Sequence, residues 1–434
     1  MSKAVFYTAE DVVKRGKENI PSELLSSKNL VYSSPATLAY NSPGAQGFGV
    51  KRAGLALPGS VMLLVAPCCC GRNTAAMSGD GEYADRMYYL LQDETDIVTG
   101  RHLYKIVDAV KEVCALQEKM PSAVMICITC VDALLGTDME RICRKCEEAV
   151  NIPVVPCYMY ALTREGRLPP MVSVRKSIYS LLKPAKRRGD AVNILGYFSP
   201  LQSDCELYSI LQKAGVKNIR EIARCTDFAQ YEKMAEANFN LVLHPEARYA
   251  AADLEKRLGI PYIELTRSYD IEKIRKQYFL LGQAAGFSVD DTKEYEEAAE
   301  AVTIFRNEYG MISFSVGEWL NGDPFEIALS LLRYGFAVKE IFGTLGEGNF
   351  VYVKKIAALS PETKIYSNLS PSMLMYEETK ENTPHAVLGK DAMFYHKTTP
   401  GIPWNGEEQF FGYAGVKKLF LSLAEAMKKG GNKK

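Results

Sequence analysis

Short apolar runs alternate with amphipathic stretches along most of this chain. Residues 61–66 and 123–128 are almost wholly apolar, which predicts buried strands, and apolar positions recur at helical spacing over 101–119. The same alternation predicts further strands at 152–156, 193–198, 219–222, 239–244, 262–265, 311–316, 338–342, 364–366 and 386–388, further helices at 137–149, 203–214, 247–258, 292–309, 323–335 and 415–428, and a helix or strand at 350–358. Strands that alternate with helices form parallel sheets flanked by helices, so the sequence predicts an α/β fold.

The 434 residues are too many for a single core, because domains hold roughly 100–200 residues each. A polar, basic stretch at 183–189 favours a boundary there, and a charged helical stretch begins near residue 292. We therefore expect three domains, comprising residues 1–189, 190–291 and 292–434.

Thiols follow two of the predicted strands in the first domain. Pro67 ends strand 61–66, because it has no N–H for the ladder, and Cys68, Cys69 and Cys70 come next. Strand 123–128 contains Cys127 and leads to Cys130. Ligands of open parallel sheets bind beyond the carboxyl ends of the strands, so these two clusters are expected to converge.

Clustered thiols in a cytosolic chain favour metal ligation or reactivity over disulfides. The alternative for Cys68, Cys69 and Cys70 is that they are packed residues at a strand end. Cys127 has the spacing of a second ligand beside Cys130, yet it suits a core position equally well.

Other candidate residues each have a structural alternative. Cys143 and Cys146 have the spacing of a zinc or redox pair but lie in a predicted amphipathic helix. His244 ends a predicted strand, where it would ligate or protonate a substrate or simply accept a hydrogen bond. Arg248 and Arg267 would bind substrate carboxylates or form surface ion pairs.

Two glycine-containing turns complete the candidates, at 317–319 and 346–348. Neither completes a dinucleotide or P-loop motif, so no nucleotide site is expected.

Charge and hydropathy exclude several classes of protein. The 52 basic and 52 acidic residues give zero formal net charge, which argues against a nucleic-acid or anionic-membrane binder. No apolar run reaches the ~18 residues that span a bilayer, and the first residues show no signal-peptide pattern. The expected location is cytoplasmic. With four histidines, a histidine-rich metal centre is poorly supported.

Several stretches of the chain, taken together, resemble the nitrogenase component 1 family, which includes the dark-operative protochlorophyllide reductase and the nickel-tetrapyrrole reductive cyclase. The Pro67–Gly71 turn resembles the family's Gly-Pro-x-x-Cys turn, with Cys70 at a cluster-ligand position. Residues 129–138 are similar to the family's Cys-x-x-x-x-Ile-Gly-Asp-Asp, with Cys130 at another ligand. Residues 96–100 and 412–415 resemble two further family segments, Asp-x-Val-Phe-Gly-Gly and Gly-Phe-x-Gly.

The resemblance implies three Rossmann-like domains per subunit and a dimer, either of two copies or with a related chain. It implies an iron–sulfur cluster, [4Fe-4S] or larger, at the subunit boundary on Cys70 and Cys130, with Cys68, Cys69 and Cys127 as further candidates. Since a cubane usually takes four thiolates, two copies giving two each would complete it. An ATP-dependent iron protein would supply electrons for a small-molecule substrate in the inter-domain cleft.

The chain also departs from the family. The family's first cluster cysteine would fall near Gly44, and no cysteine precedes Cys68. Residues 241–245 and the region of 402–404 resemble the family segments that hold the iron–molybdenum cofactor. In this chain, however, the first segment has no cysteine and the second has no histidine. A molybdenum nitrogenase is therefore not expected. Two alternatives to a reductase remain: a scaffold for metallocofactor assembly, and an inactive subunit that partners a related chain.

Overall fold

The computed structural model describes residues 3–25, 36, 49–68, 84–159, 168–346 and 348–431. Its internal contacts divide the chain into two compact units. The two-sheet unit comprises residues 43–200 and 215–266, and the one-sheet unit comprises residues 1–42, 201–214 and 267–434.

The secondary structure is that of an α/β protein. The strands are β1 Tyr7–Thr8, β2 Val61–Ala66, β3 Met87–Leu91, β4 Val124–Ile128, β5 Val154–Tyr158, β6 Ala191–Leu195, β7 Asn218–Glu221, β8 Phe239–Val242, β9 Tyr262–Glu264, β10 Ser313–Val316, β11 Ala337–Phe342, β12 Lys364–Tyr366, β13 Ala386–Leu388 and β14 Gly401–Ile402. The helices are α1 Ala9–Arg15, α2 Gly49–Leu55, α3 Glu94–Val98, α4 His102–Leu116, α5 Cys130–Leu135, α6 Met139–Val150, α7 Pro170–Ser180, α8 Glu206–Lys213, α9 Phe228–Glu232, α10 Arg248–Leu258, α11 Ile271–Ala285, α12 Thr292–Tyr309, α13 Pro324–Arg333, α14 Phe350–Leu359, α15 Lys390–Tyr395 and α16 Gly412–Gly431.

The first sheet of the two-sheet unit has the strand order β3-β2-β4-β5, and all its neighbours are parallel. Successive side chains of a strand point to opposite faces. One face of β2 therefore packs with α4 and α6, and the other packs with α2 and α7. Because helices cover both faces, the central strands are apolar at every position, which is the pattern that the sequence showed.

The second sheet of this unit has the order β7-β6-β8-β9 and is also parallel. Helix α10 packs against α7, and both contribute to one apolar cluster that includes residues of both sheets, such as Leu64 of β2 and Val242 of β8, together with Leu254 of α10. The two sheets of this unit therefore share a core.

The one-sheet unit contains a six-stranded sheet of order β1-β12-β11-β10-β13-β14. Strand β1, from the start of the chain, pairs antiparallel with β12, and the other neighbours are parallel. No helix in the described part of the chain combines the length and hydropathy needed to cross a bilayer.

The predicted α/β class is confirmed, and most predicted elements lie within a few residues of their expected positions. Helix α12 has the expected bounds, and residues 350–359 are helical. The strand expected to end before Cys157 instead contains it, since β5 continues to Tyr158. Strand β3 and helices α7 and α11 were not predicted. The domain boundaries at 189 and 291 remain predictions.

Gly412, in the last of the family-like segments, begins helix α16 where only glycine fits. Its φ is +63°, and a Cβ there would lie 1.8 Å from Glu206 Oε1. That carboxylate accepts hydrogen bonds from Tyr278 Oη at 2.6 Å, Tyr413 N at 2.6 Å and Ala414 N at 3.1 Å. Buried Glu206 thus satisfies backbone N–H groups at the start of α16, and Gly412 leaves it room.

We expect Gly412→Ala to lower the free energy of unfolding by about 2–3 kcal/mol, from strain at a positive φ and displacement of Glu206. Urea unfolding followed by circular dichroism measures this change. Gly406→Ala is the matched control, because no heavy atom lies within 4 Å of its added Cβ. Equal effects of the two substitutions would contradict this account of the start of α16.

A buried charged cluster includes Glu340 of strand β11 in the six-stranded sheet. His396 is 1% exposed and lies 2.9 Å from Glu340 Oε2 through Nε2 and 2.9 Å from Glu378 Oε1 through Nδ1. Tyr376 Oη donates to the same Glu340 oxygen at 3.0 Å. Burial acts to lower the pKa of His396, but the two carboxylates outweigh it, and the net pKa is raised.

A raised pKa makes the contribution of His396 to stability depend on pH. The contribution is complete below the ordinary histidine pKa of about 6.5 and is lost as the pH rises through the raised pKa of the folded state. We therefore expect His396→Gln to destabilise the protein more at about pH 6 than at about pH 9, in urea unfolding of both proteins. A difference that stays constant between these pH values would show that His396 does not titrate as described.

Candidate functional site

The two thiol-bearing strand ends lie side by side in the first sheet. Strands β2 and β4 are neighbours, and Val65 pairs with Ile128. The chain moves from β2 outward to β3 and then returns to β4 on the other side. The carboxyl ends of β2 and β4 therefore form the switch point of this sheet, where open parallel sheets bind their ligands. We call this region the thiol edge: residues 66–68, 92 and 129–132.

The structure describes two of the predicted ligands at the thiol edge, Cys68 and Cys130, and not the other two, Cys69 and Cys70. Cys68 is exposed directly after β2. Cys130 is the first residue of α5, whereas Cys69 and Cys70 lie outside the described residues. Among the residues that are described, no three histidine, cysteine or acidic side chains are grouped to hold a metal ion.

Cys127 lies within β4 rather than at its end. Its side chain is fully buried, and its neighbours in register are Leu64 on β2 and Cys157 on β5. These side chains belong to the apolar cluster under α2 and α7. This position supports the core alternative for Cys127.

Three buried polar side chains at the thiol edge were not singled out by sequence reasoning. Gln92 Oε1, Thr129 Oγ1 and Asp132 Oδ2 each lack a hydrogen-bond partner among the described residues, although these three residues are at most 3% exposed. The other carboxylate oxygen of Asp132 accepts from Gln92 Nε2 at 3.4 Å and from Thr137 Oγ1 at 3.2 Å. Burial raises the pKa of Asp132. Because buried polar atoms are nearly always paired, these three atoms are candidates for contact with a ligand.

A cavity of about 530 Å³ lies next to the thiol edge. It is bounded by Asp132 and Thr137 on one side, by Tyr158 of β5, and by Ser173 and Lys176 of α7. Ligand sites of proteins span roughly 300–1,000 Å³, so the cavity has the volume of a small-molecule site.

Exposed apolar side chains follow the strand ends of the same sheet. Val98 is 86% exposed in α3, and Leu134 is 70% exposed in α5. Leu91 and Leu135 are about half exposed. Apolar side chains concentrated at one edge of a sheet are typical of a surface that contacts another protein.

Two other residues of the family-like segments stabilise local structure. Asp96 is buried, and its carboxylate binds Arg101 and Lys105 at the start of α4. Asp138 caps α6 by accepting a hydrogen bond from Arg141 N at 3.0 Å. Both acids therefore fix helices that follow the thiol edge.

Cys143 and Cys146 lie on the buried face of helix α6, as the amphipathic alternative predicted. Burial raises the pKa of both thiols, that of Cys146 to about 11. Cys143 and Cys146 are at most 4% exposed, so their burial supports the amphipathic-helix alternative.

His244 lies at the switch point of the second sheet, directly after β8. Its Nδ1 accepts a hydrogen bond from Glu246 N at 3.3 Å, and its ring contacts Tyr197 edge-on at 5.7 Å. The side chain is 37% exposed, so it is both oriented and reachable. The neighbouring strand end is Gly196, where an added Cβ would lie 2.8 Å from His244 N.

Arg175 of helix α7 supports this second strand-end site, and sequence reasoning missed it. It is 5% exposed and donates to Gly196 O at 2.7 Å, to Met171 O at 2.8 Å and to Glu246 Oε2 at 2.7 Å. Burial lowers the pKa of Arg175, and the Glu246 carboxylate opposes that shift. The guanidinium thus joins the loops that carry Gly196 and His244.

The two arginines that sequence reasoning did single out, Arg248 and Arg267, have partners in the structure. Arg248 Nε donates to Glu264 at 2.6 Å near the surface, which is the surface-pairing alternative. Arg267 Nη2 donates to Gln409 Oε1 at 2.8 Å.

The 317–319 turn lies at the switch point of the six-stranded sheet. The Asp391 carboxylate accepts from Glu318 N at 2.8 Å, Trp319 N at 3.1 Å and Asn368 Nδ2 at 2.6 Å. Burial and the Asp391 charge raise the pKa of Glu318 to about 7. This turn is therefore held by a carboxylate and carries no glycine-rich phosphate loop.

Comparison with known proteins agrees with this architecture. A family model described as nitrogenase component 1 type oxidoreductase matches residues 45–428. The nitrogenase iron-molybdenum cofactor biosynthesis protein NifE of Methanococcus maripaludis is 26% identical over 216 residues, 48% of this chain and 44% of that protein. NifE of Sinorhizobium fredii is 22% identical over 363 residues, 76% of this chain and 69% of that protein.

The chain spans about half the length of the first of these curated relatives. Among solved structures, nitrogenase Cp1 at pH 6.5 superposes with a TM-score of 0.66 and 14% identity, over 97% of both chains. That similarity supports the fold, and the family match extends over most of the sequence. The chain therefore belongs to the nitrogenase component 1 type oxidoreductase family.

Proposed function

We propose that this chain is the cluster-holding subunit of a nitrogenase-like reductase, with Cys70 and Cys130 as ligands at the thiol edge. Electrons would come from an ATP-dependent iron protein and pass to a small-molecule substrate. The observation that carries the proposal is the adjacency of β2 and β4, because both thiol runs directly follow these neighbouring strands.

The chemistry of the thiol edge suits an iron–sulfur cluster. Thr129, next to Cys130, has a buried hydroxyl with no partner in the part of the chain that the structure describes, and cluster sulfurs accept hydrogen bonds from such donors. A bound cluster would supply one-electron transfer at a potential set by burial and by those hydrogen bonds. Gln92, Thr129 and Asp132 would shield the site from water.

Two cysteines per chain require a second polypeptide for a four-thiolate cluster. The exposed Val98 and Leu134, which follow β3 and β4, support a subunit interface at this edge. We propose a dimer that covers these side chains, made of two copies or of this chain and a related one.

His244 is the proposed substrate-facing group. Its accessible ring, held by Glu246 N and supported through Arg175, would bind the substrate or transfer a proton to it.

The relatives favour a second candidate function. NifE proteins are described as acting in iron–molybdenum cofactor biosynthesis, so this chain would hold a nascent cluster and transfer it to an acceptor. The thiol edge would then be a temporary binding site, and the exposed apolar side chains would contact the acceptor.

One experiment separates the two candidates. The protein is purified without oxygen, its iron and sulfide are measured, and it is incubated with a nitrogenase-type iron protein and ATP. ATP-dependent reduction of the cluster by the iron protein, added in its reduced form and oxidised in the step, would support the reductase if electron paramagnetic resonance shows it and the iron is retained. Transfer of iron to an apo-acceptor would support the scaffold, and protein without iron would contradict both.

A further inference from the structure

A second cavity, of about 320 Å³, lies within the one-sheet unit and is bounded by α11, α13 and α14. Five charged side chains line it: Asp270, Lys273, Glu326, Arg333 and Lys355. Neither the thiol edge nor the family comparison assigns it a role, and the proposed cluster function does not use it.

The protein itself satisfies both carboxylates of this cavity. Asp270 caps α11 by accepting from Glu272 N at 3.1 Å and Lys273 N at 3.3 Å, and it also pairs with Arg333. Glu326 is 3% exposed and accepts from the Ser268 hydroxyl and from Tyr269 N at 3.1 Å. These carboxylates are therefore saturated with donors.

The cations, in contrast, have donors to spare. Arg333 binds Asp270 through Nη1, and as far as the described residues show, most of its five N–H groups remain for another acceptor. Lys273 donates to Tyr352 Oη at 3.0 Å and lies 3.9 Å from Glu326. Lys355 is exposed, and it forms no ion pair or hydrogen bond with the described residues.

We propose that this cavity binds the phosphate group of a small phosphate ester. Three cations against two carboxylates leave an excess of positive charge, and that excess grows when Glu326 is protonated. Arginine and lysine together on three separate helices are suited to an oxyanion with several acceptor oxygens.

The remaining walls are suited to the organic part of such a ligand. Leu329 and Val351 are apolar, and the Tyr352 ring, which lies 5.2 Å from Lys273 Nζ, offers an aromatic face. Gly348 borders the cavity just before α14, where the positive end of the helix dipole adds to the cationic charge. Gly348, which belongs to no complete nucleotide motif, would thus border the phosphate of a smaller ligand.

Isothermal titration calorimetry of the full chain at constant ionic strength tests the proposal, with inorganic phosphate and glycerol 3-phosphate as probes and chloride as the replaced anion. We expect saturable binding of one glycerol 3-phosphate per chain, tighter than that of inorganic phosphate. Lys355→Gln should weaken binding about tenfold, the loss of one charge-assisted hydrogen bond.

Lys354→Gln is the matched control. Lys354 is the adjacent exposed lysine of α14, and its ammonium lies over the Phe350 ring rather than in the cavity. Unchanged binding in this variant, together with weaker binding in Lys355→Gln, supports the site. No saturable binding, equal loss in both variants, or equal binding of inorganic phosphate and the ester would overturn the proposal.

Discussion

Replacement of Cys130 by alanine is expected to remove essentially all cluster iron from protein purified without oxygen. Cys130 is the proposed ligand that follows β4, next to the strand that leads to the Cys68–Cys70 run, and without it two chains supply two of the four thiolates that a cubane cluster takes. Iron and sulfide analysis, with electron paramagnetic resonance of the reduced protein, measures the loss.

Cys225→Ala is the matched control for this experiment. Cys225 is half-buried and follows β7 of the second sheet, away from the thiol edge. Its Sγ lies 3.3 Å from Glu221 O. The control should keep its iron. Normal iron in Cys130→Ala, or the same loss in both variants, would contradict cluster ligation at the thiol edge.

Arg175→Met is expected to destabilise the protein by about 3–5 kcal/mol, the effect of removing one partner from a buried charged network. Methionine fills much of the volume but donates no hydrogen bond, so the carbonyl oxygens of Gly196 and Met171 lose the bonds that the Arg175 side chain donates. Glu246 is left without its cation, and the Phe198 ring loses the guanidinium 4.7 Å from its centroid.

Urea unfolding measures this loss of stability, with Lys176→Met as the control. Lys176 is the next residue of α7, but it is exposed, so its substitution should cost less than about 1 kcal/mol. If Arg175→Met were as mild as the control, the buried network would not hold the Gly196 and His244 loops. Loss of stability in Arg175→Met, together with unchanged stability in Lys176→Met, would support the role of Arg175 in this network.

The sequence determined the class of fold because the signal is local. A strand covered by helices on both faces must be apolar at every position, and Val61–Ala66 and Val124–Ile128 have that composition. Two of the elements that sequence reasoning missed have weaker local signals. Met87–Leu91 is an edge strand with half-exposed side chains, and Pro170–Ser180 follows a proline and begins with another.

Long-range pairing could not be read from the sequence. Residues Tyr7–Thr8 join the sheet of the C-terminal part of the chain, where Tyr7 pairs with Ile365. Nothing in a two-residue strand specifies a partner more than 350 positions away, because pairing is decided by which edge remains open once the rest of the sheet has formed.

Some features of the candidate site could likewise be read from the sequence, and others only from the structure. The positions of the thiols after two apolar runs are sequence facts, and they predicted a shared edge. Only the tertiary structure separated Cys127, which faces the core, from the exposed Cys68.

The sequence by itself determined the α/β class, the thiol runs at strand ends and the resemblance to the family, since each depends on residue types and short spacings. The tertiary structure alone decided which polar side chains became buried. Arg175 and Lys176 are adjacent basic residues, yet only Arg175 meets Gly196 and Glu246, 21 and 71 positions away. Burial of a charge depends on partners brought by other elements, and no local pattern contains that information.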